Sequence, residues 1–179
     1  GKNEQWKVAG VFFAEMRHCG IEWDTVACNV AIAACEKEWK KALSLLLDQE
    51  RETLERDLIT YSAAISACEK HEEWEQAIDL LATALKGRIN PDVIICSAAI
   101  SACEKGGQSK WASELLTEMR LSKLEPNVIT CSSAISACEK GKAWQPALAL
   151  MCEMDRKSLE PDVITYSATI SACEKGEQW

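Results

Sequence analysis

The 179-residue chain lacks the positive charge expected of a generic polyanion binder. Its 20 Lys and Arg stand against 28 Asp and Glu, a formal net charge of -8. Basic domains are what usually attract nucleic acid nonspecifically, so the balance argues against a broad phosphate-binding surface. Histidine is nearly absent, with only His18 and His71, and a Cys/His zinc pattern is thereby missing. Apolar stretches are short and broken by Ser, Asp and Lys, none near the roughly 20 residues a membrane helix needs, so no membrane association is expected. Residues Gly1 to Trp6 carry neither an apolar signal region nor an Arg- and Ser-rich amphipathic stretch. A targeting signal, if the gene product has one, is expected upstream. There is no phosphate loop, nucleophile elbow or Cys/His deaminase signature. The recurring Glu and Asp do not converge on one pocket, so no acid/base pair can be named and the chain is not expected to be an enzyme. Any nuclease or deaminase activity would need a domain outside it, and no cofactor or metal is expected. At 47% hydrophobic and 27% charged, nothing in the composition suggests disorder.

What is present is a period. The string Ser-Ala-Cys-Glu-Lys places its cysteine at Cys68, Cys103, Cys138 and Cys173, each 35 residues after the last. The variant Ala-Ala-Cys-Glu-Lys places Cys35 33 residues before Cys68. The two missing residues fall in a turn, where Cys35-Glu-Lys-Glu-Trp39 replaces Cys138-Glu-Lys-Gly-Lys-Ala-Trp144, and loops tolerate such deletions best. Within one unit, Ile59 to Lys70 reads as a first helix because Tyr61, Ile65 and Cys68 fall at i, i+4 and i+7. A turn follows, then a second helix from Trp74 to about Leu85. Its recurring alanines, Ala9, Ala42, Ala77, Ala112 and Ala147, would let two helices pack closely. Pro146 suits the first turn of a helix, and Pro91, Pro126 and Pro161 each end a unit. A single hairpin cannot bury its own apolar stripe, so hairpins stack. The expected fold is all-α, a right-handed α-solenoid of helix-turn-helix hairpins. It is one array with partial repeat 1–24, repeats 25–57, 58–92, 93–127 and 128–162, and partial repeat 163–179. The chain starts and stops inside turns, which leads us to expect a piece of a longer array.

The ten cysteines follow the repeat. Five hold one apolar position, and Cys28, Cys96 and Cys131 hold another that is Tyr61 or Tyr166 elsewhere. A metal ligand or disulfide partner would not exchange with an aromatic ring, whereas a core filler can. The two positions lie about 10 Å apart along one helix, too far for a disulfide. Free, buried thiols suggest a reducing compartment.

Opposite the apolar stripe, the first helix carries Ser62, Ser66 and Glu69, repeated as Ser97, Ser101 and Glu104, which reads by itself as a solvated face. A second ladder ends each unit: Asp24, Asp57, Asp92, Asn127 and Asp162. A third is Lys37, Lys70, Lys105, Lys140 and Lys175; lysine in the last turn of a helix is favoured by the macrodipole, which accounts for it without a ligand.

Segments such as Asp57-Leu-Ile-Thr-Tyr-Ser62 and Leu124-Glu-Pro-Asn-Val-Ile-Thr130 resemble the pentatricopeptide-repeat family across essentially the whole chain. The Ser-Ala-Cys-Glu-Lys-Gly string is similar to the family's algal branch. The resemblance implies single-stranded RNA binding, one base per repeat read by two or three side chains. It pairs Asn29 with Asp57, Ser62 with Asp92, Ser97 with Asn127 and Ser132 with Asp162, which the family's code reads as 5'-UGAG-3'. Ser167 starts a further unit. An Asp-to-Asn exchange alters which base edge can be matched, because Asp only accepts hydrogen bonds and Asn also donates. The resemblance makes Val26, Ile59, Ile94, Ile129 and Ile164 wedges between bases, where ordinary core packing is the other explanation. It makes the lysine ladder a set of phosphate contacts, acting locally because charge is screened beyond about 8 Å. It further implies a mitochondrion or plastid and a role in RNA processing, stability, editing or translation. DNA is not expected as a partner; protein partners or further domains outside the chain are compatible. The sequence departs from the family pattern at Cys96 and Cys131, where an aromatic is usual, and at Trp23 and Arg56, where other units have proline. A protein-binding scaffold like the tetratricopeptide repeats is the alternative that the acidic charge favours, although those have a 34-residue period and a different Trp, Gly and Tyr pattern.

Overall fold

The computed structural model describes residue 15 and residues 24–35, 38–51 and 56–176. Among these residues all regular structure is helical: α1 (Thr25–Ala34), α2 (Trp39–Arg51), α3 (Leu58–Lys70), α4 (Trp74–Lys86), α5 (Val93–Lys105), α6 (Ser109–Leu121), α7 (Val128–Lys140), α8 (Trp144–Arg156) and α9 (Val163–Lys175). No helix is long and apolar enough to cross a membrane among the described residues. Two compact units divide the chain, Gly1–His71 with Glu75–Pro91, and Glu72–Trp74 with Asp92–Trp179. In the first, α1 packs on both α2 and α3, and α2 also touches α3. In the second, α5 packs on α6 and α7, while α7 packs on α6, α8 and α9. Within each unit a first helix meets the next first helix, α1 on α3 in the first and α5 on α7 and α7 on α9 in the second, giving an all-α helical repeat fold.

Local chemistry sets where each helix starts and stops. Every first helix begins at an Asp or Asn in extended backbone whose side chain accepts the amide N–H three residues on: Asp24, Asp57, Asp92, Asn127 and Asp162. Prolines 91, 126 and 161 stand just before three of these caps, where they cannot extend the preceding helix. In place of a proline, Arg56 donates to the Tyr61 hydroxyl at 3.2 Å. The helix ends turn out of line through a left-handed residue, at Gly107 and Lys142 after α5 and α7, and at Arg88, Lys123 and Ser158 after α4, α6 and α8. There the amide of the next residue closes back on a carbonyl five residues earlier, as in Gln108 to Cys103 and Ala143 to Cys138, both 2.8 Å. Gly106 and Gly176 are tied to the tryptophans that open second helices, since a Cβ at either would run into the indole of Trp74 or Trp144.

The core is the stripe read from the sequence together with a second one. Ile32, Ile65, Ile100 and Ile135 are fully buried, as are Cys68, Cys103 and Cys138. Truncating such an isoleucine to alanine costs about 2–5 kcal/mol. Ala64, Ala67, Ala99, Ala102, Ala134 and Ala137 are buried as completely and form the second stripe. Ser62, Ser66, Ser97 and Ser101 are half-buried, so the face expected to be solvated is only partly open. Small side chains let first helices approach closely, as Ala42, Ala77, Ala112 and Ala147, with no exposed surface, do for second helices. Ala9 lies outside the described residues.

Candidate nucleic-acid interface

The thiols of the core are chemically quiet. Burial pushes Cys103 up to about 12 and Cys96 and Cys138 up to about 11, so these thiols stay protonated at neutral pH and are poor nucleophiles. Among the described residues no group of three or more His, Cys, Asp or Glu could hold a metal ion.

The polar residues singled out by the sequence gather at the N-termini of the first helices. Asn127 Oδ1 accepts the Thr130 amide at 2.9 Å and lies 2.8 Å from the Thr130 hydroxyl. Thr130 Oγ1 is in turn 2.7 Å from Ser97 Oγ on α5, and Ser97 also donates to the Val93 carbonyl at 2.6 Å. The same chain recurs one repeat on. Asp162 Oδ1 accepts the Thr165 amide at 2.8 Å and its hydroxyl at 2.7 Å, and Thr165 Oγ1 is 2.7 Å from Ser132 Oγ on α7. The Thr165 hydroxyl, then its amide, hold the Asp162 carboxyl below its ordinary range. Two residue pairs that the sequence placed together, Ser97 with Asn127 and Ser132 with Asp162, are thus joined through a buried threonine that it did not single out.

In the first unit the corresponding group is closed on itself. Asn29 Nδ2 lies 3.1 Å from both oxygens of Asp57, and the Thr60 hydroxyl reaches Asn29 Oδ1 at 2.6 Å. Asp57 Oδ1 also accepts the Thr60 amide at 2.8 Å. Burial pushes the Asp57 carboxyl up, but the bonds from Thr60 and Asn29 outweigh it and hold it below the usual carboxylate range. Ser62 is half-buried on α3, Asp92 caps α5 through the Ile95 amide at 2.9 Å, and Ser167 is exposed on α9. Ile95 occupies the place of Thr60, Thr130 and Thr165, fully buried but with no hydroxyl.

Beside each cap stands an apolar side chain in water. Val26, Ile59, Ile94, Ile129 and Ile164 are 63% to 70% exposed. Core packing therefore does not explain them; scattered exposed apolar residues are ordinary, but a ladder at one repeat position is a surface feature. The lysine ladder is partnered. Lys140 pairs with Glu104 at 3.5 Å and Lys175 with Glu139 at 2.8 Å, each reaching the glutamate one repeat earlier. Lys175 and Ser171 together pull the Glu139 carboxyl below its ordinary value against its partial burial. Lys70 is exposed and Lys105 half-buried, while Lys37 lies outside the described residues.

One consequence follows from the caps alone. Each Asp or Asn has two side-chain heteroatoms, and the cap takes the oxygen Oδ1. Outside the closed group at Asp57, an Asp such as Asp162 is left with a second oxygen, an acceptor; Asn127 is left with its NH2, a donor. Because the cap fixes the orientation of the Asn127 amide, exchanging Asp for Asn inverts the one group left to face outward.

Comparison with known proteins identifies the repeat. The family described as "Pentatricopeptide repeat domain" matches residues 79–141 and 114–176, and "PPR repeat" matches residues 59–83. No curated protein sequence gives a significant match. Among solved structures, the pentatricopeptide repeat protein PPR10 from maize superimposes with a TM-score of 0.77 at 23% identity over 93% of this chain and 24% of its own. The chain therefore spans about a quarter of that protein's length. The same protein in complex with an 18-nt psaJ RNA element gives a TM-score of 0.69. The PPR domain of Arabidopsis thaliana protein-only RNase P 1, in complex with tRNA, gives 0.82 at 13% identity, over 97% of this chain and 92% of that one. With two overlapping family matches spanning more than half of its residues and hairpins capped in register, the chain belongs to the pentatricopeptide-repeat family.

Proposed function

We propose that the chain binds single-stranded RNA, one base per repeat, with a preferred core of 5'-UGAG-3'. The repeats are 25–57, 58–92, 93–127 and 128–162, with partial repeats 1–24 and 163–179. The observation that carries the reading is the half-used cap: a fixed Asp or Asn beside a half-buried serine, with one outward hydrogen-bonding group each. A ring N–H, as in guanine or uracil, matches the oxygen left on Asp162; a ring nitrogen acceptor, as in adenine, matches the NH2 left on Asn127. The exposed Val26, Ile59, Ile94, Ile129 and Ile164 supply apolar surface on which bases rest. The solved structures of PPR10 with an RNA element and of the RNase P domain with tRNA support RNA as the partner class. Lys70, Lys105, Lys140 and Lys175 are the proposed phosphate contacts, and Lys37 completes the set by position. An organellar role in RNA processing, stability, editing or translation is part of the same proposal.

The test is the affinity for a fluorescent RNA containing UGAG against a scrambled RNA, repeated with Asn127→Asp at low and moderate salt. The expected result is preference for UGAG and, in the variant, a shift from A to G at the third base by about 10–100-fold, the worth of one hydrogen-bonding group left unmatched. Since Lys140 and Lys175 already face glutamates, the loss of affinity with salt should be shallow. Equal affinity for both RNAs would overturn the base-reading claim, and no binding at low salt would favour a protein-binding scaffold.

A further inference from the structure

We propose that Thr165 is a positioning residue that fixes Ser132 as a hydrogen-bond acceptor and so makes this repeat choose guanine over uracil; the inference rests on the RNA reading above.

The argument counts protons. Asp162 is an ionised carboxylate and only accepts, so at its 2.7 Å contact with Thr165 the proton must come from the threonine hydroxyl. That hydroxyl has one proton. At the 2.7 Å contact between Thr165 and Ser132 the proton must therefore come from Ser132. Ser132 has one proton as well, and it points inward. Only lone pairs remain for a base, and they require a donor such as an exocyclic amino group. Guanine offers both that amino group and a ring N–H for Asp162. Uracil offers the ring N–H but only carbonyls beside it. Adenine has the amino group and no ring N–H. Ser132, held by Thr165, separates guanine from uracil, while Asp162 separates guanine from adenine.

Thr165 is suited to this role because it is itself fixed. It is fully buried, β-branched and anchored through its own amide to the same Asp162 oxygen. The neighbouring repeat provides an internal contrast. Ser97 faces Thr130 in the same way, but the Val93 carbonyl 2.6 Å away offers its proton a second inward acceptor. Ser132 makes no corresponding bond to Val128. Removing the hydroxyl should therefore free Ser132 to donate outward, but leave Ser97 an acceptor. The fold tolerates the change, since Ile95 stands buried at the equivalent place.

The experiment measures affinities for three RNAs that differ only at the fourth base, UGAG, UGAU and UGAA, with the parent chain, Thr165→Val, Thr165→Ser and Thr130→Val. Thr165→Val should reduce the guanine-over-uracil ratio about tenfold while the guanine-over-adenine ratio holds. Thr165→Ser should restore the parent ratio. In Thr130→Val, with the third base varied instead, the corresponding amino-over-carbonyl preference should change less than threefold. Should Thr165→Val fail to fold, Thr165→Ile takes its place with the same expected outcome. A parent that discriminates alongside a Thr165→Val that discriminates equally overturns this inference and leaves the RNA reading standing. A uniform loss of affinity for all three RNAs also overturns it, as the mark of a merely structural residue. A parent that binds none of them overturns both.

Discussion

The group around Asp57 and the group around Asp162 occupy the same repeat positions and differ in one residue, Asn29 against Ser132. The amide of Asn29 reaches both oxygens of Asp57, its carbonyl takes the Thr60 hydroxyl, and the side chain is only 8% exposed. Every polar atom of that group is matched internally. Ser132 is too short to reach Asp162, so the threonine links them and leaves one oxygen on each side facing outward. A longer side chain thus makes a stronger internal group and a less available one. The first repeat closes the group on itself, and the fourth leaves an oxygen of Ser132 and one of Asp162 unmatched, which is what the proposed base reading needs.

The largest expected effect breaks the closed group. Asp57→Ala removes a cap and strands the buried Asn29 amide, a cap being worth about 1 kcal/mol and a stranded buried donor about 1–3. Urea unfolding should show a loss of about 2–4 kcal/mol. Asn127→Ala, which removes a cap and strands no amide, should lose about 1 kcal/mol. Equal losses would mean that the Asn29 bonds contribute nothing. Next in size, Asn29→Ser should copy the open arrangement into the first repeat. Binding titrations should then find the first base shifting from U towards G by about tenfold, the effect of one matched hydrogen bond.

The smallest effect is on pH. Both Asp57 and Asp162 have folded values below their ordinary ones, so the stability they add is complete above the unfolded carboxylate range. It is lost as pH falls through the folded values. Thermal melts should decline below about pH 4, where free Asp titrates, and Asp162→Asn should flatten part of that decline. A melt that falls equally in parent and variant would place the acid sensitivity elsewhere.

Much of this was legible in the sequence because the repeat does the averaging. Five copies of one cysteine position, and an Asp/Asn position with proline before it in three units, gave helix starts, core and period before any coordinates. Three things were not legible. Ala64 and Ala67 carried no signal of their own, because alanine is small enough to suit either water or a close helix contact. The exposure of Ile59 and its counterparts could not be told from burial, since an isoleucine at a helix start fits both. The threonine link joins residues 33 apart, and such contacts depend on how one helix lies against the next. Its trace was nonetheless there, in threonine recurring at 60, 130 and 165, with Ala27 and Ile95 as the exceptions.

The caps have a consequence for how such an array can change its target over generations. The residue that would read a base must first start a helix, and only short polar side chains do that well. Asp and Asn are both strong caps, and a single nucleotide change in the gene converts one to the other. On the proposed reading, a lineage can therefore rewrite one letter of its target without passing through an unfolded intermediate, but it can draw that letter only from the few residues that folding already permits.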